Sequence, residues 1–190
     1  MKELEERILR DGKVLGGNIL QVGGFINQQI DTTFTTKLAR EVYSLYSSSS
    51  VTKVLTIEAS GIAFGFAVAL QFDVPLVFAK KSRTSNVDGE VLFAPIHSYT
   101  HGNDYKATVS AEYISPDDNV LIVDDFLANG EALRGLIKIV KDAGASVVGA
   151  AVEIEKGFQG GGDRLRSEGI RVESLAIIES MSESGITFRR

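Results

Sequence analysis

The chain has 190 residues, with 25 acidic side chains against 20 basic ones and a formal net charge of −5. Hydrophobic residues make up 44% and charged residues 24%, which predicts one globular domain burying about 70% of its unfolded surface without staples. The acidic balance argues against a broad nucleic-acid face, though not against a small anion site, and the absence of cysteine removes disulfides, thiolate zinc sites and cysteine nucleophiles together.

The opening segment, Lys2 to Arg10, places Leu4, Ile8 and Leu9 on one helical face. It is too acidic, and its apolar run too short, for a signal peptide. Gly16-Gly17 breaks it, and Asn18 to Phe25 alternates loosely as a short strand or extended loop. Asp31 is placed to N-cap a helix carrying Phe34, Leu38, Val42 and Leu45, and Ser47 to Ser50 reads as a loop. Val51 to Ile57 is a β-branched run that reads as a buried strand. Ser60 then caps a helix with Ile62, Phe64, Phe66, Val68 and Leu70, and Val74 to Ala79 is a second strand. Lys80 to Glu90 reads as a loop. Val91 to Tyr99 and Tyr105 to Ile114 flank the turn signal His101-Gly102-Asn103-Asp104, which predicts a β-hairpin. Strand Val120 to Val123, helix Gly130 to Ala143, strand Ser146 to Ile154, a helical turn or two over Gly160 to Glu168, and strand Val172 to Ile178 complete the chain. Strands alternating with helices predict an α/β fold with a mainly parallel sheet, which binds ligands beyond the carboxyl ends of its strands. No run of about 18 apolar residues occurs, so no membrane span is expected.

The most informative stretch is Asn119-Val120-Leu121-Ile122-Val123-Asp124-Asp125-Phe126-Leu127-Ala128-Asn129-Gly130-Glu131-Ala132. An apolar strand delivers two carboxylates, a loop of small residues follows, and a helix starts. Free backbone N–H groups and the positive end of a helix dipole bind phosphate, and two carboxylates accept from a vicinal diol. A ribose 5-phosphate unit presents both features. The bland alternative is an acidic cap on an ordinary strand-to-helix turn. A Walker B reading lacks its G-x-x-x-x-G-K-[ST] partner. His97 and His101 are spaced i, i+4, but their flanks alternate like strands and no third metal ligand is evident.

This stretch resembles the phosphoribosyl diphosphate (PRPP) signature of type I phosphoribosyltransferases, and its form Asp125-Phe126-Leu127-Ala128-Asn129-Gly130 resembles the bacterial xanthine enzymes in particular. Leu20 to Asp31 (LQVGGFINQQID), Thr56 to Ala63, Val77 to Lys81 and Ile154-Glu155-Lys156 extend the resemblance over nearly the whole chain. It implies a parallel core over about 51–180 with a small N-terminal hood, mainly 1–35, and a flexible loop on the hairpin, all in one domain, 1–190. It implies that Asp124 and Asp125 hold the ribose, and that Ala128, Asn129, Gly130, Glu131 and Ala132 hold the 5-phosphate. Glu58, Ala59, Ser60 and Gly61 would form the pyrophosphate loop, and Lys80, Lys81 and Arg83 would lead into the closing loop. Leu20, Asn27 and Lys156 would meet xanthine, with Phe126 or Phe158 stacking on the purine. The acid that the hypoxanthine-guanine branch places at Ala128 is absent, so no general base is assigned.

The resemblance further implies purine salvage in the cytoplasm, in which xanthine and PRPP give XMP and pyrophosphate. Magnesium would accompany PRPP, and the enzyme would be a homodimer without a nucleic-acid or membrane partner. The rival readings are adenine or guanine as substrate, and a non-catalytic regulator that binds nucleic acid. The regulator calls for an added basic module, and the residues before the first core strand are not basic.

Overall fold

The structure, a computed structural model, describes residues 1–81, 90–98 and 103–190. The chain runs α1 (Lys2–Asp11), β1 (Lys13–Leu15), β2 (Ile19–Gln21), α2 (Thr32–Tyr46), β3 (Lys53–Ile57), α3 (Gly61–Phe72) and β4 (Leu76–Ala79). It continues as β5 (Val91–Ser98), β6 (Asn103–Ser110), β7 (Asn119–Leu127), α4 (Glu131–Asp142), β8 (Ser146–Lys156), α5 (Gly161–Ser167), β9 (Val172–Ser182) and β10 (Gly185–Phe188). The central sheet has the order β10-β9-β8-β7-β3-β4. All its neighbours are parallel except β10, which returns antiparallel along β9. The fold is thus α/β with a mainly parallel sheet flanked by helices.

Local sequence explains most elements. The Asp31 side chain accepts from the Phe34 N–H at 3.0 Å and caps α2, whose Phe34, Leu38 and Val42 are buried. α4 buries Leu133, Leu136, Ile137 and Val140 at helical spacing. It carries Glu131 in its first turn and Lys141 in its last, each matching the dipole. β3 buries Val54, Leu55, Thr56 and Ile57, so both faces are covered, as a central parallel strand requires. The two faces hold separate cores. One unites Leu4, Ile8, Leu38, Val42, Phe64 and Val68 from α1, α2 and α3, and the other unites Leu133, Leu136 and Val140 of α4 with Ala94, Ile96 and Ala107 of the hairpin.

Five expectations change. Leu9 is exposed, because α1 buries a narrow stripe of Leu4 and Ile8. Phe66 and Leu70 are 57% and 61% exposed, because α3 buries the opposite face, carrying Phe64, Gly65, Val68 and Ala69. Ser60 stands at the N-cap of α3, but its backbone is already helical and its side chain makes no capping bond. β7 runs on through the aspartate pair to Leu127, since pairing with β8 continues to Leu127↔Glu155. Val172 to Ile178 is not the last strand: β9 extends to Ser182, and β10 returns along it on the open edge. The β5–β6 hairpin forms as a separate antiparallel pair from Val91↔Ser110 to Ser98↔Asn103. Most of the expected Lys80–Glu90 loop, with Arg83, and the turn residues His101 and Gly102 lie outside the described residues.

Candidate active site

From β3 the chain crosses through α3 to β4 on one side, and from β7 it crosses through α4 to β8 on the other. The carboxyl ends of β3 and β7 therefore flank a topological switch point, where open parallel sheets bind ligands. Asp124 and Asp125 sit there, 5% and 6% exposed. The Asp125 N–H donates to Asp124 Oδ1 at 3.0 Å. Burial, then the charge of Asp125, pushes the Asp124 carboxyl well above the usual carboxylate range. At the start of α3, a Cβ on Gly61 would lie 2.3 Å from Thr56 Oγ1 and 2.8 Å from Asp124 Oδ1. Only glycine lets the β3 loop come this close to the aspartate pair. Thr56 Oγ1 is itself buried without a hydrogen-bond partner.

The turn after β7 is shaped from behind. Gly130 adopts φ +89° and begins α4 with no side-chain cap, leaving the first N–H groups of the helix without a side-chain acceptor there. A Cβ on Gly161 of α5 would lie 2.2 Å from the Ala128 carbonyl oxygen and 2.7 Å from the Gly130 nitrogen. The Arg164 Nη2 donates to the Asn129 carbonyl at 3.0 Å. The expected phosphate loop, Ala128 to Ala132, is thus clamped by α5, a support the sequence reading missed. Its signal was the glycine run at 160–162.

Glu58, Ala59, Ser60 and Gly61 form the turn between β3 and α3, with a cis peptide between Glu58 and Ala59. Glu58 Oε1 accepts from the Lys81 N–H at 2.6 Å, so the expected pyrophosphate loop and the start of the expected closing loop stand together at the ends of β3 and β4. Lys80 bridges to Thr108 of the hairpin, and the Lys81 ammonium lies 5.4 Å from the Tyr105 ring centre. The charge of Lys81 opposes the upward push on Asp124.

Residues from the chain's two ends meet at the other side of the crevice. Asn27 Nδ2 donates to Asp125 Oδ2 at 3.4 Å across 98 positions of sequence. Lys156, at the end of β8, donates to the Asn18 carbonyl at 2.8 Å, and its ammonium lies 5.8 Å from the Phe126 ring centre. Burial pushes the Lys156 ammonium below the ordinary lysine range. Leu20 is buried in the core beneath, while Phe158 is exposed. Phe126, half-buried beside Lys156, is the better placed of the two aromatic candidates.

The sequence reading also missed Glu153, an acid inside the apolar run of β8, and the buried Glu155 beside it. Glu155 is bound by Arg166 through Nη1 at 3.0 Å and Nη2 at 2.7 Å. His97 pairs with Asp104, and His101 lies outside the described residues. Among the described residues no group of three or more histidine, aspartate or glutamate side chains fits a metal ion.

The phosphoribosyl transferase domain model matches residues 29–185. A xanthine phosphoribosyltransferase of Brevibacillus brevis is 50% identical over 188 residues, covering 99% of this chain and 96% of the relative. One from Clostridioides difficile is 46% identical over the whole of both chains. Among solved structures, the adenine phosphoribosyltransferase of Leishmania tarentolae superposes with a TM-score of 0.76 at 18% identity, covering 95% of this chain and 90% of that one. That of Rhodothermus marinus gives 0.74 at 21%, covering 93% and 99%. At those identities the structural likeness speaks for the fold alone, that of the type I phosphoribosyltransferases. With the domain model spanning the motif-bearing strands and full-length relatives near half identical, the chain belongs to the phosphoribosyltransferase family, among the xanthine phosphoribosyltransferases.

Proposed function

We propose that this chain transfers the 5-phosphoribosyl group of PRPP to xanthine, giving XMP and pyrophosphate. The bond from the ribose anomeric carbon to pyrophosphate breaks and one to a purine ring nitrogen forms, through an oxocarbenium-like state. Asp124 and Asp125 accept from the ribose hydroxyls, the Ala128–Ala132 turn takes the 5-phosphate, Glu58–Gly61 takes pyrophosphate, and Lys80 and Lys81 lead into the loop that closes over PRPP. The contribution of these groups is alignment and charge stabilisation. A magnesium ion would arrive on the pyrophosphate oxygens and water, since the described side chains offer it no cage. The reading treats residues 1–190 as one domain, with the hood in 1–35 and the PRPP core in about 51–180. It includes a homodimer, supported by the exposed Phe66 and Leu70. It includes no nucleic-acid partner, in keeping with the acidic net charge. No helix among the described residues is long and apolar enough to cross a membrane.

The observation that carries the reading is the hydrogen bond from Asn27 to Asp125, which ties the base-facing hood to the ribose-facing pair. The Lys156 ammonium only donates, so it suits a 6-oxo purine and meets the 6-amino group of adenine donor to donor. Asn27 serves the 2-oxo group and Leu20 is the apolar wall. Unpaired buried donors cost about 1–3 kcal/mol each, so adenine is rejected by about a hundredfold, and guanine less strongly because Asn27, its amide flipped, accepts through Oδ1 from the 2-amino group. The test is kcat/KM for xanthine, guanine, hypoxanthine and adenine with PRPP, on wild type and Lys156→Ala. The variant is expected to lose xanthine activity and to narrow the gap between 6-oxo and 6-amino purines. A wild type preferring adenine, or an unchanged ranking and rate in Lys156→Ala, would overturn the base assignment.

A further inference from the structure

Glu153 belongs to neither substrate's expected contacts. β7 and β8 pair with Asp124 opposite Val152 and Phe126 opposite Ile154, so Asp125 and Glu153 stand level on neighbouring strands. Glu153 is 2% exposed, and its Oε2 is buried with no hydrogen-bond partner. Besides Glu155, which Arg166 binds, three buried carboxyls therefore crowd one end of the sheet.

We infer that Glu153 is a positioning residue for the ribose-binding pair: it keeps a proton beside Asp125 and so withholds a third negative charge from the crevice when PRPP binds. This rests on the reading of Asp124 and Asp125 as ribose acceptors. The charged groups facing Glu153 come from β7 and are both acidic, Asp125 first and Asp124 second. From β9 the residue level with it is the buried, apolar Leu175, and the hood contributes the neutral Asn27, already engaged on Asp125. The nearby cations are committed elsewhere. Arg166 grips Glu155, Lys156 donates to the Asn18 carbonyl, and Lys81 acts on Asp124.

A buried carboxylate without a donor or a cation is far costlier than the protonated acid. Burial, and then the two aspartates, accordingly push Glu153 well above the usual carboxylate range. PRPP brings further negative charge and needs the aspartates as acceptors. An ionised Glu153 would repel both Asp125 and the ligand, whereas the acid repels neither. PRPP affinity should therefore weaken as pH rises through the folded-state titration of Glu153.

The experiment measures Kd for PRPP with magnesium by calorimetry across neutral and alkaline pH, for wild type and Glu153→Gln, so that ionisation of the ligand cancels. The ratio of wild-type to variant Kd is expected to rise with pH, by at most about tenfold per unit for one proton. Folding stability is a second, ligand-free readout. A raised folded-state value means that wild-type stability is fully present below the unfolded titration, near about pH 4.3 for glutamate, and is lost as pH climbs to the folded one. Glu153→Gln should gain on wild type across that window and then run parallel. Glu153→Leu should show the same loss of pH dependence and stands in if the amide folds poorly. Parallel profiles of wild type and variants in both measurements would overturn the inference. If wild type fails to bind PRPP at every pH, the ribose reading fails instead, and the stability difference still tests whether Glu153 keeps its proton.

Discussion

The two ends of the crevice are built in opposite ways. At the proposed phosphate end, one continuous segment, β7 with its turn and α4, supplies the aspartate pair and the uncapped helix start, and Gly161 fixes it from behind at backbone contact distance. At the proposed base end, the contributors are an exposed Asn27, a half-buried Lys156 and the partly buried Phe126, joined by single hydrogen bonds and ring contacts across long stretches of chain. The first is preorganised backbone geometry. The second is an assembly of adjustable side chains. On this contrast the proposed phosphoribosyl half should tolerate little change, whereas the proposed purine half can be retuned.

The largest effect is expected from Asp125→Asn. Removing one buried acceptor that serves the developing charge should lower kcat by about a hundredfold or more while leaving the ranking of purines unchanged. An altered ranking at unchanged turnover, in the purine panel, would erase the division between the two ends. Gly161→Ala comes next. Its Cβ would stand 2.2 Å from the Ala128 carbonyl oxygen, and neither backbone can yield cheaply. Displacing the turn should weaken PRPP binding by about tenfold to a hundredfold, by calorimetry, in protein whose far-ultraviolet circular dichroism is unaltered. Wild-type affinity in that variant would mean that the turn needs no support from α5. Arg164→Ala should have the smallest effect. It removes solvent-accessible hydrogen bonds to the Asn129 carbonyl and, longer, to the Gln159 carbonyl, the first worth about 0.5–1.5 kcal/mol, so KM for PRPP should rise about threefold with kcat held. A change in kcat with KM held would assign Arg164 to the chemistry.

The same contrast explains what was legible in the residues. Asp31 was readable as a cap because capping is decided within four residues, whereas its pairing with Arg7, 24 positions away, was not. Ser60 looked equally good, yet its side chain makes no such bond, because the β3 turn is held instead by the approach of Gly61 to Thr56 and Asp124. Phe66 and Leu70 fit an apolar helix and are exposed, since composition alone does not say which stripe meets the sheet. β10 was not read because its pairing depends on an open edge of β9 that only the assembled sheet offers.

By itself, the sequence determined the alternating α/β order, the mainly parallel strands and the Asp124-Asp125 pair ahead of a strand-to-helix turn, because periodicity, capping and strand-to-helix turns are short-range physics. Its motifs also named the family. The tertiary structure decided what lies level with what: Asn27 against Asp125, Gly161 behind Ala128, and Glu153 beside the aspartates. Those relations are set by strand register and by the packing of segments far apart in the chain. Burial of a carboxyl follows from that register, and so does whether it keeps its proton.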